Sequence, residues 1–310
     1  MKAFDIVTLT VNPALDKSTT FSGLIAEQKI RCDFPQYDAG GGGINVSKAI
    51  SRLGGSSLCI FTSGGSAGQM IEKLIAEEKI DFIAIPVKNW TRESLVAVDD
   101  HTNKQYRFGF PGAEISASEQ KLILKSISEH KPQYFVVSGS LNEGLPTDYY
   151  AKIAKKAKSS GAKVILDTSG EPLKKALEEG VYLVKPNVGE LAKLVGTDRL
   201  HTNEVDDAAK TLIDKGQAEI VVVSLGPQGA VLVTKDETHF IPAPNVSKKS
   251  TVGAGDSMVG GMTWALSQDK SMKEVVQWGV ACGSAATMSE GSRLFQKEDA
   301  EKLFGWLEKK

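Results

Sequence analysis

Six short stretches of the chain are apolar with almost no interruption: "DIVTLTV", "SLCIFTS", "YFVVSGS", "KVILDTS", "VYLVKPN" and "EIVVVSLG". Each is rich in Val, Ile or Leu, and continuity rather than alternation is how a strand buried on both faces reads. Between them the period becomes helical. In "GINVSKAISRLG", Val46, Ala49, Ile50 and Leu53 follow the i, i+3, i+4, i+7 spacing, and Met258, Val259, Met262 and Leu266 form a similar face behind "STVGAGD". Strands alternating with helices predict an α/β fold: a mostly parallel sheet with helices on both faces. Ligands of such sheets bind at the carboxyl ends of the strands.

Two stretches have period two instead. In "KIRCDF", Ile30, Cys32 and Phe34 alternate with Lys29, Arg31 and Asp33; in "QYRFGF", Tyr106, Phe108 and Phe110 alternate with Gln105 and Arg107. Such alternation predicts strands with one apolar and one polar face, and "DDHTNK" predicts a hairpin turn before the second. The expected result is a small β-sheet lid, built from segments inserted at about 15–39 and 90–111 into a single domain spanning 1–310. Its polar face would carry Lys29, Arg31 and Arg107, with Arg92 nearby in "WTRES". A thin sheet cannot hide the opposite, apolar face by itself. This favours a lid or an interface over a solvated surface, and two lids packed face to face in a homodimer are the expected arrangement. Lys29 or Arg31 would then come within reach of the neighbour's substrate.

Composition narrows the partners. The 310 residues carry a formal net charge of −1, which implies no broad basic surface for nucleic acid. Cys32, Cys59 and Cys282 are odd in number and far apart, so the expectation is buried, reduced thiols in a cytosolic protein rather than a disulfide framework or a zinc site. The first residues read straight into a strand without a signal-peptide pattern, and no apolar run is long enough to span a bilayer. A cytoplasmic protein without membrane or nucleic-acid partners is expected.

Five constellations carry candidate chemistry. In "STVGAGDSMVGG", Gly253, Ala254 and Gly255 precede a helix whose unpaired N–H groups suit an anion. Asp256 beside them could cap the helix, or could accept the proton of a hydroxyl that attacks phosphorus; a pKa near the ordinary ~4 would keep it ionised at neutral pH. In "DAGGGGINVSKAI", Gly41 and Gly42 lie in a glycine run before a helix with Asn45 in its first turn, a loop suited to close contact with hydroxyls. In "VKPNVGE", Lys185 ends a strand, and Asn187 and Glu190 share a helix face; they could hold the waters of Mg²⁺ or form a capping box. In "TVNPALD", Asp16 follows the first strand. In "VVVSLGPQGAVLV", Ser224, Gly226 and Gly229 form a tight strand-turn-strand that clasps a flat base or is merely a hairpin. No G-x-x-x-x-G-K-[ST] and no G-x-G-x-x-G occurs, which excludes a P-loop and leaves a dinucleotide fingerprint unsupported.

"GGGGINVSKAISRLGG" and "STVGAGDSMVGG" resemble the two signatures of the ribokinase-like sugar kinases of the PfkB group. The resemblance runs through the whole chain in order, including "VKPNVGE" and "SLGPQGA". Within the group, "GGGGINV", "NWTRESL" and "QYRFGFPGAEIS" are most similar to the 6-phosphofructokinase branch. The 1-phosphofructokinases and tagatose-6-phosphate kinases generally carry lysine at the position of Gly42. The second signature usually starts with Asp-Thr, where this chain has Ser250-Thr251, again like the 6-phosphofructokinase branch. The resemblance implies a ribokinase-like fold and transfer of a phosphoryl group from ATP to the 1-hydroxyl of fructose 6-phosphate, with Mg²⁺ and a monovalent cation such as K⁺. It implies Asp256 as the base and the N–H groups of Gly253, Ala254 and Gly255 at the transferring phosphoryl. Lys185 and Asn187 would meet the ATP phosphates, Glu190 would hold Mg²⁺ through water, and Ser224, Gly226 and Gly229 would line the nucleotide. Asp16, Gly41, Gly42, Asn45 and Ser140 would hold the sugar and Arg92 its phosphate. Carbonyls near Ser250, Val252, Ala286, Ser289 and Gly291 would surround the monovalent cation. The rival acceptors are tagatose 6-phosphate and fructose 1-phosphate. A non-catalytic sugar or nucleotide sensor on the same fold is disfavoured by the presence of Asp256 and its glycines.

Overall fold

The uninterrupted apolar runs become the inner strands of one sheet. A computed structural model describes residues 3–291 and 293–310. In chain order its strands are β1 (Ile6–Thr10), β2 (Ala14–Phe21), β3 (Gln36–Gly40), β4 (Leu58–Ser63), β5 (Asp81–Pro86), β6 (Arg92–Asp99), β7 (Lys104–Gly109), β8 (Tyr134–Ser138), β9 (Lys163–Asp167), β10 (Val181–Val184), β11 (Ala218–Ser224), β12 (Ala230–Val233) and β13 (Thr238–Ile241). Its helices are α1 (Gly42–Arg52), α2 (Gly65–Glu77), α3 (Ala117–Ser128), α4 (Tyr149–Ser159), α5 (Gly170–Leu177), α6 (Val188–Val195), α7 (Val205–Asp214), α8 (Ala254–Ser267), α9 (Met272–Thr287) and α10 (Lys297–Leu307).

The larger, nine-stranded sheet has the order β13-β12-β11-β10-β9-β8-β1-β4-β5, and its neighbours are parallel except for the two pairs made by β12. The order reverses at β1. The chain leaves β1 toward β4 and β5, then returns on the other side with β8. At such a switch point the connections diverge and leave a crevice at the carboxyl ends of the strands. Asn12 lies just beyond β1 and Ser140 just beyond β8. The Asn12 Nδ2 donates to Ser140 Oγ at 3.0 Å across that crevice.

Successive side chains of each strand enter opposite layers. Phe135 and Val137 of β8 join Ile123, Tyr150, Leu173, Leu191 and Leu212 from α3 to α7, whereas Tyr134 and Val136 join Ile50, Met262, Val276 and Phe304 from α1, α8, α9 and α10. Both faces of the sheet are therefore dry, which is why the strands read as continuous runs. In the second layer α8 lies unusually close to its neighbours. A Cβ on Gly260 would overlap the methyl of Ala49 on α1, and one on Gly261 would stand 2.7 Å from the Trp278 carbonyl on α9. Trp278 in turn meets Trp264 edge-on at 4.8 Å and stacks on Phe304 at 4.1 Å. These contacts fix where the amino end of α8 points.

The second sheet has the order β3-β2-β6-β7, with β2 and β6 parallel and the other pairs antiparallel. Most of "QYRFGF" lies in β7, as its alternation predicts, and Asp99 closes the hairpin turn by accepting from the N–H of His101 and the hydroxyl of Thr102. "KIRCDF" is not a strand. Its one ladder contact is a bridge from Cys32 to Phe21. Asp33 folds back onto β2 instead, its N–H donating to the Thr20 carbonyl at 3.0 Å, and Pro35 follows without a donor. The strands that flank this segment, "ALDKSTTF" and "QYDAG", are too polar to show a run. Cys32 is exposed, contrary to the expectation of three buried thiols; Cys59 and Cys282 are buried. One side of the small sheet and its margins leaves Phe34, Phe108, Phe110, Tyr37, Leu24 and Ile25 open to solvent. Among the described residues no helix is long and apolar enough to cross a membrane.

Candidate active site

The amino end of α8 opens at the carboxyl edge of the large sheet. Gly253 precedes the helix in a left-handed conformation with φ 72°, which favours glycine, and no side chain caps the helix start. Asp256 is the third helical residue and is not the cap. Its Oδ2 accepts from Asn45 Nδ2 at 2.8 Å, so the first turns of α1 and α8 are tied together by these two side chains. Burial, helped by the nearby charge of Asp167, pushes the Asp256 carboxyl up to about 6, while Asn45 and Lys185 pull it down. The expectation of an ordinary carboxyl is corrected: desolvation outweighs the neighbouring cation.

The glycine run is a close-packed junction rather than a flexible connector. Gly40 ends β3, Gly41 precedes α1, and Gly42 and Gly43 are its first residues. A Cβ on Gly42 would overlap Ser138 Oγ and stand 2.6 Å from the Gly139 nitrogen. Any side chain there would push α1 off the end of β8.

Asp16 lies on β2, not in the connection after β1, and stands opposite Asp38 of β3. Burial pushes its carboxyl up to about 6, against the pull of Arg92 and a hydrogen bond from Ser94; Asp38 adds to the rise. Arg92 begins β6, its Nε donating to Asn12 Oδ1 at 3.0 Å and its Nη2 to the Asn12 carbonyl at 3.5 Å. Asn12 therefore joins Arg92 to Ser140, a link the sequence reading missed although Asn12 stands directly beyond β1, in the motif that supplied Asp16. Asp16 is near enough for its charge to raise the Asp256 carboxyl. Lys29 and Arg31 are exposed and lie apart from this cluster. Among the described residues neither has a hydrogen-bond or ion-pair partner.

On the other side of α8, Asn187 bridges to Ser224 of β11, and the Ser224 N–H donates to the Pro186 carbonyl at 3.0 Å. Gly226 opens a tight 3₁₀ turn, and Gly229, with φ 113°, closes it into the β11–β12 hairpin. Asn187 and Glu190 do form a capping box: Asn187 Oδ1 accepts from the Glu190 N–H and Glu190 Oε2 from the Asn187 N–H, both at 2.9 Å. Asn187 precedes α6, so the expected shared helix face is replaced by a cap. Lys185 is buried and pairs with Asp167 at 3.1 Å. Burial alone would lower its pKa; the negative charges of Asp167, Asp256 and Glu190 outweigh it and raise the pKa. Neither the strand-end acid Asp167 nor Asp38 was singled out in the sequence.

Two further loops meet at the end of α9. The N–H groups of Lys249 and Ser250 donate to the Thr287 carbonyl, Ser250 Oγ donates to the Gly291 carbonyl at 2.8 Å, and the Ser289 N–H donates to the Ala286 carbonyl at 3.2 Å. The Val252 N–H donates back to Ser250 Oγ. The candidate cation-binding residues are thus neighbours in space.

An uncapped helix end, a desolvated carboxylate on its first turn and a guanidinium sharing the crevice at a switch point are the parts of a phosphoryl-transfer enzyme on an open α/β sheet. Residues 4–299 match the profile of the pfkB family carbohydrate kinases, and the chain belongs to that family. It is 40% identical over 304 residues to the ATP-dependent 6-phosphofructokinase isozyme 2 of Escherichia coli (strain K12), covering 97% of this chain and 98% of that protein. The structure of Escherichia coli phosphofructokinase-2 in complex with potassium superposes with a TM-score of 0.95 at 40% identity, over 98% of this chain and 99% of the other. The structure in complex with fructose-6-phosphate gives 0.93 at 39% identity with the same coverage.

The buried acid has a consequence for stability. Folded Asp256 keeps its proton to about pH 6, against 3.8 for an ordinary carboxyl, so the native state binds more protons in that window and loses stability as pH rises through it. Above the window the ionised group costs about 3 kcal/mol. Asp256→Asn removes that charge and keeps an acceptor for Asn45. Urea unfolding is expected to show the variant more stable than the parent by about 3 kcal/mol at pH 8, with the gain shrinking toward zero at pH 4. Equal stability at both pH values would mean that the charge is not desolvated.

Proposed function

We propose that this carbohydrate kinase transfers the terminal phosphoryl group of ATP to the 1-hydroxyl of fructose 6-phosphate, giving fructose 1,6-bisphosphate and ADP. The observation that carries the reading is Asp256: a carboxylate pushed up to about 6 and held by Asn45 on the first turn of a helix that begins at Gly253. Its charge would repel a bound phosphate, which suits a base better than a ligand. Asp16, Asn45, Ser140 and the backbone of Gly41 and Gly42 hold the sugar, and Arg92, already oriented by Asn12, takes its phosphate as a bidentate partner. With the hydroxyl in place, Asp256 accepts its proton as the oxygen bonds to phosphorus and the bond to ADP breaks. The N–H groups of Gly253, Ala254 and Gly255 and the ammonium of Lys185 face the charge on the transferring group. Asn187, Ser224, Gly226 and Gly229 line the nucleotide. The relative's name and its fructose-6-phosphate complex support the same acceptor.

Mg²⁺ fits the donor set in a limited way. Among the described residues no three acidic, His or Cys side chains form a metal cage, and the box leaves one Glu190 oxygen for water. An ion held mainly by phosphates and water, with Glu190 behind it, suits that set and would neutralise phosphate charge. We place a monovalent cation at the carbonyls near Ser250, Val252, Ala286, Ser289 and Gly291, which are neighbours in space; a relative solved in complex with potassium supports the kind of ion.

The small sheet serves as a lid whose open apolar side, around Phe34 and Phe108, packs on a second copy. In that arrangement Lys29 or Arg31, exposed in one chain, reaches the sugar phosphate of the neighbour.

The acceptor is tested by ADP release with fructose 6-phosphate, tagatose 6-phosphate, fructose 1-phosphate and ribose. Fructose 6-phosphate is expected to have the highest kcat/KM, and another winner would replace it. Asp256→Asn should lower kcat by about 10²–10⁴-fold. The base works only when ionised, so kcat of the parent should fall as pH drops through about 6. A flat profile from pH 5 to 8 would remove Asp256 from that role. Arg92→Ala should raise KM for fructose 6-phosphate by at least about tenfold while KM for ATP stays within about twofold; equal changes in both would place Arg92 elsewhere. Phe34→Glu combined with Phe108→Glu should leave a folded monomer by light scattering with most activity lost, whereas a dimeric double variant would rule out the lid interface.

A further inference from the structure

Three neighbouring strand ends meet beneath the amino end of α8. Ser138 closes β8, Asp167 closes β9 and Lys185 follows β10. Register sets them side by side: Ser138 is the partner of Asp167, and Val184 is the partner of Leu166, which puts Lys185 next to Asp167. Side-chain bonds run the same way. Ser138 Oγ donates to Asp167 Oδ2 at 3.4 Å, and Lys185 Nζ donates to Asp167 Oδ1 at 3.1 Å. The pair is largely shielded, with side chains 8% and 16% exposed. The ammonium lies at the start of α8, where a Cβ on Gly255 would stand 3.5 Å from Nζ.

That is an unfavourable place for a free cation. A helix amino end carries a partial positive charge of about half a unit, and burial removes the water that would solvate the ammonium. With no counter-charge Lys185 would swing out or shed its proton. Asp167 supplies the counter-charge, and no role assigned above uses it. Both of its oxygens are already engaged, one by Lys185 and one by Ser138.

We propose that Asp167 is a positioning residue, whose carboxylate holds the Lys185 ammonium at the mouth of α8 so that cation and helix N–H groups face the transferring phosphoryl together. The inference rests on the phosphotransfer reading above. Asp167 touches no reactant; it acts through Lys185. Its charge also stands close enough to Asp256 to make that carboxylate more basic.

The test is a double-mutant cycle of Asp167→Asn and Lys185→Met, with circular dichroism to confirm folding. Asp167→Asn should lower kcat by about 10–100-fold, the usual effect of losing an outer-shell partner, while KM for fructose 6-phosphate stays within about threefold. The acid limb of its kcat profile should move to lower pH, because the charge that raises Asp256 is gone. The double variant should be no slower than Lys185→Met alone. Asp167→Asn within about twofold of the parent kcat overturns the proposal, and so do losses that multiply in the double variant. An Mg²⁺ midpoint raised several-fold by Asp167→Asn also overturns it, because that would make Asp167 a metal ligand. Should Asp167→Asn not fold, Asp167→Ser takes its place in the same cycle. Failure of the phosphotransfer reading has a different signature: the parent protein releases no ADP with any acceptor. If it prefers another sugar phosphate, the cycle is run on that acceptor.

Discussion

Charge held out of water at the amino end of α8 is the constraint around which the rest of the molecule is arranged. Two carboxylates, Asp256 and Asp167, and one ammonium, Lys185, share a space with the positive end of a helix. None of these groups is comfortable there alone. Burial pushes Asp256 up to about 6, and the positive pKa shift of Lys185 depends on acids that overcome its desolvation. Such a cluster is costly in a resting protein and useful in a kinase, because a transferring phosphoryl meets fixed dipoles and charges that need no reorganisation.

Holding the cluster is the work of the scaffold. Asp167 and Lys185, with Ser138 beside them, come from adjacent strand ends or their first following residues, where parallel register fixes spacing to within one residue. Asp256 comes from a helix whose direction is set by close glycine contacts with α1 and α9 and by the Trp264–Trp278–Phe304 stack beneath it. Asn45, on the helix that Gly42 seats against β8, completes the ring by bonding Asp256 directly. The two glycine-rich motifs, whose Asn45 and Asp256 lie 211 positions apart, are thus two sides of one joint.

The small sheet obeys a different constraint. Its apolar side, with Phe108 and Tyr37, is left to solvent in a single chain. It still reaches the cleft through its first residues: Arg92 begins β6 and Asp16 lies on β2, both near the junction with the large sheet. At the opposite margin Arg293 donates to Gln36 of β3 at 2.7 Å, so the chain just past the end of α9 also touches the small sheet.

Much of this was legible in the chain itself. Continuous apolar runs against helical spacing determined the layered sheet, and the glycines around Asn45 and Asp256 marked the two helix starts, because a backbone that must approach another closely leaves few residue types. What only the tertiary structure decided was anything that depends on who stands opposite. "KIRCDF" alternates like a strand but lacks a partner along its length, while polar "ALDKSTTF" is a strand because β3 and β6 flank it. Asn187 and Glu190 left a metal role and a capping box equally open, and the box itself formed only once the chain turned into α6. Asp256 carries an ordinary acid's name, but its proton affinity comes from burial and from Asp167, 89 positions away. Asp167, Asn12 and Asp38 went unmarked because a lone polar residue at a strand end has meaning only once the sheet has brought its neighbours beside it.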